Sequence, residues 1–306
     1  VRLMKIIDIL TSPWAIVPEK LYEIQEIYST HLRGEKIDIA AIEAKVGKKA
    51  NDPPPKPYAI ENRVAVIPMH GVMAKRMNLF TRISGGVSTE LAGKALDQAL
   101  GDPDVSAILL DIDSPGGVID GVQELGGRVF EGRNQKPIVA YTDGMMASAA
   151  YWVGSAADRI YISGGTVMTG SIGVVATHVD YSQYEKKLGI KTTEVYAGKY
   201  KRITSQYKAL SKEGRQNLQD MVDYLYTVFV DEIAKHRGVS SDTVLENMAD
   251  GKIFIGKQGI DAGLVDGVSN RDRIINKILP VMQVEKARKA KLSLLNERIS
   301  HGFKRI

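Results

Sequence analysis

A serine that attacks a carbonyl needs a group to take its proton, donors for the oxyanion that forms, and room for the substrate backbone. Ser148 stands in Asp143-Gly144-Met145-Met146-Ala147-Ser148-Ala149-Ala150-Tyr151, directly after a strand-like run. In the first turn of a helix it gains from unpaired amides and the helix dipole, which favour developing negative charge. Its small neighbours leave space for a substrate to approach. A helix-capping serine accounts for this segment just as readily. Upstream, Asp113-Ser114-Pro115-Gly116-Gly117 offers paired glycines, whose backbone can take positive φ and expose its amides. Such amides bind an oxyanion, and losing one donor of this kind costs about 2.7–4 kcal/mol in the barrier. A tight turn leading into the next helix is the alternative.

The proton acceptor is less obvious. The histidines are His31, His70, His178, His236 and His301. None lies in a glycine-rich motif of the triad kind, and no Gly-x-Ser-x-Gly elbow surrounds Ser148. His31 fits a helix, His236 a helix end and His301 the tail; His70 and His178 flank strand-like runs. A lysine is the remaining option, since Ser–Lys pairs are a known variant. A lysine base must be uncharged, which burial away from water favours. Most lysines are simply solvated cations. With no cysteine in the chain, disulfides, thiol catalysis and Cys-ligated zinc are excluded. No residue pattern calls for a metal or a cofactor.

The elements that must position these residues follow a regular order. Short apolar runs at Val64–Ile67, Ala107–Leu110, Pro137–Tyr141 and Arg159–Ile162 read as strands. Helical patterns cover Glu90–Ala99, Val118–Phe130 and Ala147–Ala156 between and after them. That alternation predicts an α/β domain with a largely parallel sheet, whose sites form at the carboxyl ends of strands. Both loops of interest, 113–117 and 143–148, fall there. A long helix is expected over 211–237 and a shorter one over 240–249.

Four regions follow: a helical extension over 1–50, a proline-rich linker over 51–60, a main domain over 61–270 and a basic helical tail over 271–306. The linker is marked by Asn51-Asp52-Pro53-Pro54-Pro55-Lys56-Pro57, since prolines lack donors and favour extended backbone. In the extension, Pro18 to Leu32 has helical spacing, and 37–46 fits a second helix. Residues 281–306 hold seven Lys/Arg against two acids, which accounts for the formal charge of +5 on 306 residues. Such a tail meets anionic partners or is a solvated helix face; a nucleic-acid partner is not expected. No run reaches the ~18 apolar residues of a membrane span. The apolar stretches of Val1 to Ile16 are broken by Asp8 and Pro13 and lack a cleavage site. The expectation is a cytoplasmic protein.

Five segments then occur in order with sensible spacing: Asp113–Gly117, Met146-Ala147-Ser148-Ala149-Ala150-Tyr151-Trp152, Thr169-Gly170-Ser171-Ile172-Gly173-Val174, Ala197-Gly198-Lys199-Tyr200-Lys201, and Gly251 to Asp266. Together they resemble the signal peptide peptidase A family of serine peptidases, including its bacteriophage capsid-protease branch, over about residues 62–270. The resemblance implies Ser148 as nucleophile, Lys201 as general base, Ser171 as the group that orients the lysine, and the Gly116 and Gly117 amides as oxyanion donors. Lys199 is the rival base, since residues two apart in a strand share a face; Lys201 follows a tyrosine as the family lysine does. The implied fold is the repeated β-β-α spiral of Clp-type proteases and crotonases, and the implied assembly is a homo-oligomeric ring in which the lysine of one protomer can complete the serine of its neighbour, with a site completed within one protomer left open. An amino-terminal anchor like that of the membrane-bound enzymes is not expected, which points to the phage-type branch.

The expected chemistry is endopeptidase hydrolysis of a peptide or protein through an acyl-enzyme. Substrate is expected to bind extended beside Pro68–Met73 and 116–119, touching Met69, Gly71 and Val118. Met145 and Met146 would shape an apolar pocket for a small or apolar residue before the cut. Capsid or scaffold proteins are candidate substrates, with signal-peptide or general peptide clearance as the alternative. Two further readings are a crotonase-like thioester enzyme, for which no glutamate pair or adenine-phosphate site is evident, and a non-catalytic assembly ring.

Overall fold

The computed structural model describes residues 13–22, 24, 57–76 and 86–303, with side chains as far as residue 293. In chain order the strands are β1 (Trp14–Ile16), β2 (Ala59–Glu61), β3 (Val64–His70), β4 (Val72–Ala74), β5 (Gly86–Ser88), β6 (Ala107–Asp113), β7 (Gly116–Val118), β8 (Ile138–Thr142), β9 (Met145–Ala147), β10 (Arg159–Ile162), β11 (Met168–Gly170), β12 (Ile253–Ile255) and β13 (Gly267–Val268). The helices are α1 (Thr89–Gly101), α2 (Val122–Gly132), α3 (Ala149–Ser155), α4 (Ser182–Lys187), α5 (Lys212–Arg237), α6 (Ser241–Asn247), α7 (Lys257–Asp261), α8 (Arg271–Arg273) and α9 (Leu279–Phe303), with a π-helical turn at Ile274–Ile278.

Strands that are apolar on both faces must be covered on both faces, and the alternation of their residues shows how. The main sheet runs β13-β10-β8-β6-β3-β2, parallel throughout except for β2. Ala65, Ile67 and Met69 of β3, Ile108, Leu110 and Ile112 of β6, and Ile138 and Ala140 of β8 point into the principal core with α1, α2 and α3. The intervening residues Val64, Val66, Ala107, Leu109, Val139 and Tyr141 form a second core, closed by Ile274, Ile275 and Leu279. The period of two in the sequence is thus resolved into two faces, and the beginning of the basic 271–306 segment is part of the core.

Three strands of this sheet are each followed by one or two short strands and then a helix: β3-β4/β5-α1, β6-β7-α2, β8-β9-α3. This is the repeated β-β-α turn that the family resemblance implied. The second strands pair among themselves, β4 with β7 through Met73↔Gly117, β9 with β11 through Ala147↔Gly170, and the two groups through the bridge Ser114↔Met146. They carry both loops of interest. Because Gly116–Val118 is drawn into β7, the helix expected from Val118 begins only at Val122, after a turn at Gly121 with φ 81°. The helix expected over 211–237 is α5, capped by the Ser211 hydroxyl accepting from the Gly214 amide at 3.0 Å and ended by Gly238.

Of the helical extension expected over 1–50, residues 18–22 and 24 are helical, whereas Trp14–Ile16 is a buried strand. The second helix expected at 37–46 and the prolines of 53–55 lie outside the described residues.

One core contact sets a pH dependence. His236, at the end of α5, is buried, stacked on Phe130 at 5.2 Å, with Nδ1 3.0 Å from Ser155 Oγ. Its Nε2 faces the Glu232 carboxylate at 3.2 Å, off the angle of a hydrogen bond. Burial first, then the Lys235 and Arg133 charges, push its pKa down from 6.5 to about 3. The folded state therefore holds it neutral while the unfolded chain takes up a proton below pH 6.5, so stability falls as the pH drops from 6.5 towards 3. The expected loss between pH 7 and pH 5 is about 2 kcal/mol from this group. Urea unfolding of wild type and His236→Gln at both pH values checks it: the variant should lose less stability on acidification by about that amount.

Candidate active site

Ser148 occupies the junction between β9 and α3, at the N-cap of the helix rather than within its first turn. Its backbone has φ 55° and ψ −121°, a region that non-glycine residues enter at a cost of about 1–3 kcal/mol and that clusters at functional sites. The turn is fixed from both sides: the Ser148 amide donates to the Gly170 carbonyl at 2.7 Å, and the Ser148 carbonyl accepts from the Trp152 amide at 2.9 Å. The hydroxyl makes no capping bond. Oγ is buried and has no hydrogen-bond partner among the described residues, so the capping alternative fails. Ser171 follows Gly170, the register partner of Ala147, so the two serines leave neighbouring strands side by side. Ser171 is also buried, with φ 54°, and its amide donates to the Lys252 carbonyl at 2.7 Å.

The glycine loop reaches the same place. Gly116 has φ 101°; a Cβ there would collide with the Ala15 carbonyl oxygen and stand 2.9 Å from Ser148 Cβ. A Cβ on Gly117 would run into the Met73 backbone. Only glycines let β7 lie this close to β4 and to the serine. The Gly116 amide donates to Ser114 Oγ at 3.2 Å. The amide of Gly117 is engaged with β1, which runs antiparallel along β7 with Ala15 opposite Gly117. Flanking bonds from Val17 N to Pro115 O at 2.9 Å and from Ile119 N to Pro13 O at 3.4 Å make Ala15 and Gly117 the hydrogen-bonded pair of that ladder.

Among the described residues, no lysine joins this cluster within one chain. Residues 198–204 form turns, not a strand, so Lys199 and Lys201 do not share a strand face. Lys199 is ion-paired with Glu213. Lys201 is exposed, its amide donating to the Gly198 carbonyl at 3.1 Å. The surrounding segment is tied to itself: Ser205 Oγ donates to Glu194 at 2.6 Å, Arg202 pairs with Glu194, and His178 Nε2 lies 3.0 Å from the Ser205 carbonyl. It is also strongly apolar at its surface, with Leu188, Ile190, Val195, Tyr196 and Tyr200 all exposed. His70 stands 3.9 Å from Asp111, beyond hydrogen-bond length; that carboxylate raises its pKa against the effect of burial. None of the three histidines with described side chains, His70, His178 and His236, bonds to Ser148.

The expected substrate contacts are corrected in part. β4 lies inside the sheet β1-β7-β4-β5, with neighbours on both edges, so no strand can add beside Val72 and Met73. The outer edge of β7 is the one that takes a strand, and β1 holds it. Met69 and Met146 are wholly buried in the principal core, in the same cluster as Ala15. Gly71, Val118 and Met145 are half-buried. A cleft of about 280 Å³ lies alongside, lined by Ile16, Ser171, Val174, Val175, Tyr226 and others. Sequence reasoning missed β1. Its signal was a short apolar run, Trp14-Ala15-Ile16-Val17, between Pro13 and Pro18.

A strained serine thus stands beside a glycine loop at the carboxyl ends of a parallel sheet, and known proteins refine what that arrangement is. The model of the family described as Peptidase family S49 matches residues 131–285, about half of the chain. The chain belongs to peptidase family S49. It is 34% identical over 223 residues to the head-tail preconnector protein GP5 of Enterobacteria phage P21, covering 73% of this chain and 44% of that protein. It is 32% identical over 231 residues to the capsid assembly protease C of Escherichia phage lambda, covering 76% and 52%. To the putative signal peptide peptidase SppA of Enterococcus faecium it is 29% identical over 223 residues, covering 72% and 64%. The chain thus spans about half the length of the phage relatives. Among the described residues no helix is long and apolar enough to cross a membrane.

Proposed function

We propose that the chain is a serine endopeptidase that cuts extended polypeptide after small or apolar residues, with Ser148 as nucleophile and Lys201 of a neighbouring protomer as base. The observation that carries this reading is the buried, unpartnered Ser148 Oγ, held in a strained turn against a glycine loop whose strand accepts an extended segment. In the reaction the uncharged lysine amine takes the hydroxyl proton while Oγ attacks the scissile carbonyl. The tetrahedral oxyanion is held by backbone amides at Gly117 and Gly116, the latter released from Ser114. The lysine returns the proton to the leaving amine, and water then hydrolyses the ester. Ser171, beside Ser148, is the hydroxyl placed to orient the incoming ammonium.

Assembly is part of the proposal. Lys201 is exposed on a segment with a large apolar surface, the kind of patch that marks a protein interface. A repeating head-to-tail contact closes into a ring, brings that segment to the next protomer and excludes water from its lysine. The likeness to a capsid assembly protease and a head-tail preconnector protein supports capsid or scaffold proteins as substrates. The test is hydrolysis of a fluorogenic peptide with alanine before the reporter, alongside labelling by a serine-reactive phosphonate. Turnover together with a label on Ser148 is expected; an unlabelled Ser148 in a folded, assembled protein would overturn the reading.

A further inference from the structure

Resting on the peptidase reading, we infer that residues 13–17 are the chain's own substrate and that the Ala15–Ile16 bond is a self-cleavage site. β1 is held as a substrate strand would be, by both edges. On one side it pairs with β7 in the register Trp14↔Val118, Ala15↔Gly117, Ile16↔Gly116. On the other, the Trp14 amide donates to the Val175 carbonyl and the Val175 amide to the Trp14 carbonyl, each at 2.9 Å. The carbonyl to be attacked is that of Ala15. It is the one paired with the Gly117 amide, and both its oxygen and Ser148 Cβ lie against the same face of Gly116, where a side chain on that glycine would collide with them.

The side chains fit the same frame. Ala15, wholly buried, points into the cluster that contains Met69, Met73 and Met146, where a small residue is accommodated. Trp14 and Ile16 point the other way and are clamped by Leu21 and Ile24 against Val72, Val118 and Val175. Ile16 borders the cleft beside Ser171, on the side from which its amine must depart. The step balances as ordinary hydrolysis. Ser148 Oγ bonds to the Ala15 carbonyl carbon as its proton passes to the lysine. The Ala15–Ile16 bond breaks, with that proton going to the Ile16 nitrogen. Water then releases Ala15 as a carboxylate and restores the serine.

The experiment incubates the assembled full chain and follows its amino terminus by intact mass and terminal sequencing, while the same sample is assayed on an alanine-containing fluorogenic peptide. Wild type is expected to accumulate a chain beginning at Ile16, and Ser148→Ala to accumulate none. Ala15→Asp, which would bury a charge in the cluster and so loosen β1 from β7, should slow that product at least 10-fold while the fluorogenic peptide, free to take the vacated edge, is still cut; Ile16→Pro, which makes the amide at the cut tertiary, should slow it at least 10-fold as well. The inference is overturned if wild type turns over the peptide yet keeps the bond before Ile16 intact, or if the Ile16 chain forms equally in Ser148→Ala. Hydrolysis of neither substrate removes the peptidase reading and this inference together.

Discussion

Ser148→Ala is expected to lower peptide hydrolysis by at least about 10⁴-fold, the scale seen when a serine nucleophile is removed, and to leave the protein at least as stable as before. The two halves of that expectation come from one fact. Oγ is buried and makes no hydrogen bond among the described residues, so it contributes nothing to the folded state that its loss would forfeit. Removing an unsatisfied buried polar atom is neutral or stabilising. The backbone at φ 55° is held by the Gly170 and Trp152 bonds, which alanine keeps. Peptide turnover and thermal unfolding of the same preparation give both readouts. A variant that retained activity would end the assignment; one that lost activity and melted early would show that the hydroxyl has a partner the structure does not reveal.

The second large effect lies in mixtures. Lys201→Ala alone is expected to be as inactive as Ser148→Ala. Co-refolding the two variants in equal amounts should restore about a quarter of wild-type turnover, because random neighbours around a ring place an intact serine against an intact lysine in one pairing of four. A site completed within one chain gives no recovery at any ratio. The same mixing with Lys199→Ala discriminates the two lysines, since that variant should be active by itself. The lack of a partner for Ser148 Oγ among the described residues, and the exposure of Lys201, are what make the mixture informative.

Much of the fold was readable because sheet strands buried on both faces are apolar at every position, as at Val64–Ile67 and Ala107–Leu110. Helix ends were readable where a serine caps, as at Ser211. The second strands were not: β7, β9 and β11 are three residues each, too short for a period of two to register, and Gly116 and Gly117 carry no side chain to alternate. Their glycines instead marked a loop, and the structure sets that loop against Ser148. β1 was hidden because its burial depends on a partner a hundred residues away, not on its own periodicity. The lysine was placed by family likeness alone. Its surroundings, an apolar surface on irregular backbone, only become meaningful once another molecule covers them.

On the proposed pairing, the apolar segment that bears Lys201 would make catalytic power a collective property. A chain released singly into dilute solution would then carry the nucleophile but not its activator. Packed at high local density, the same chains complete one another by mass action. Confinement would then serve as the trigger for proteolysis.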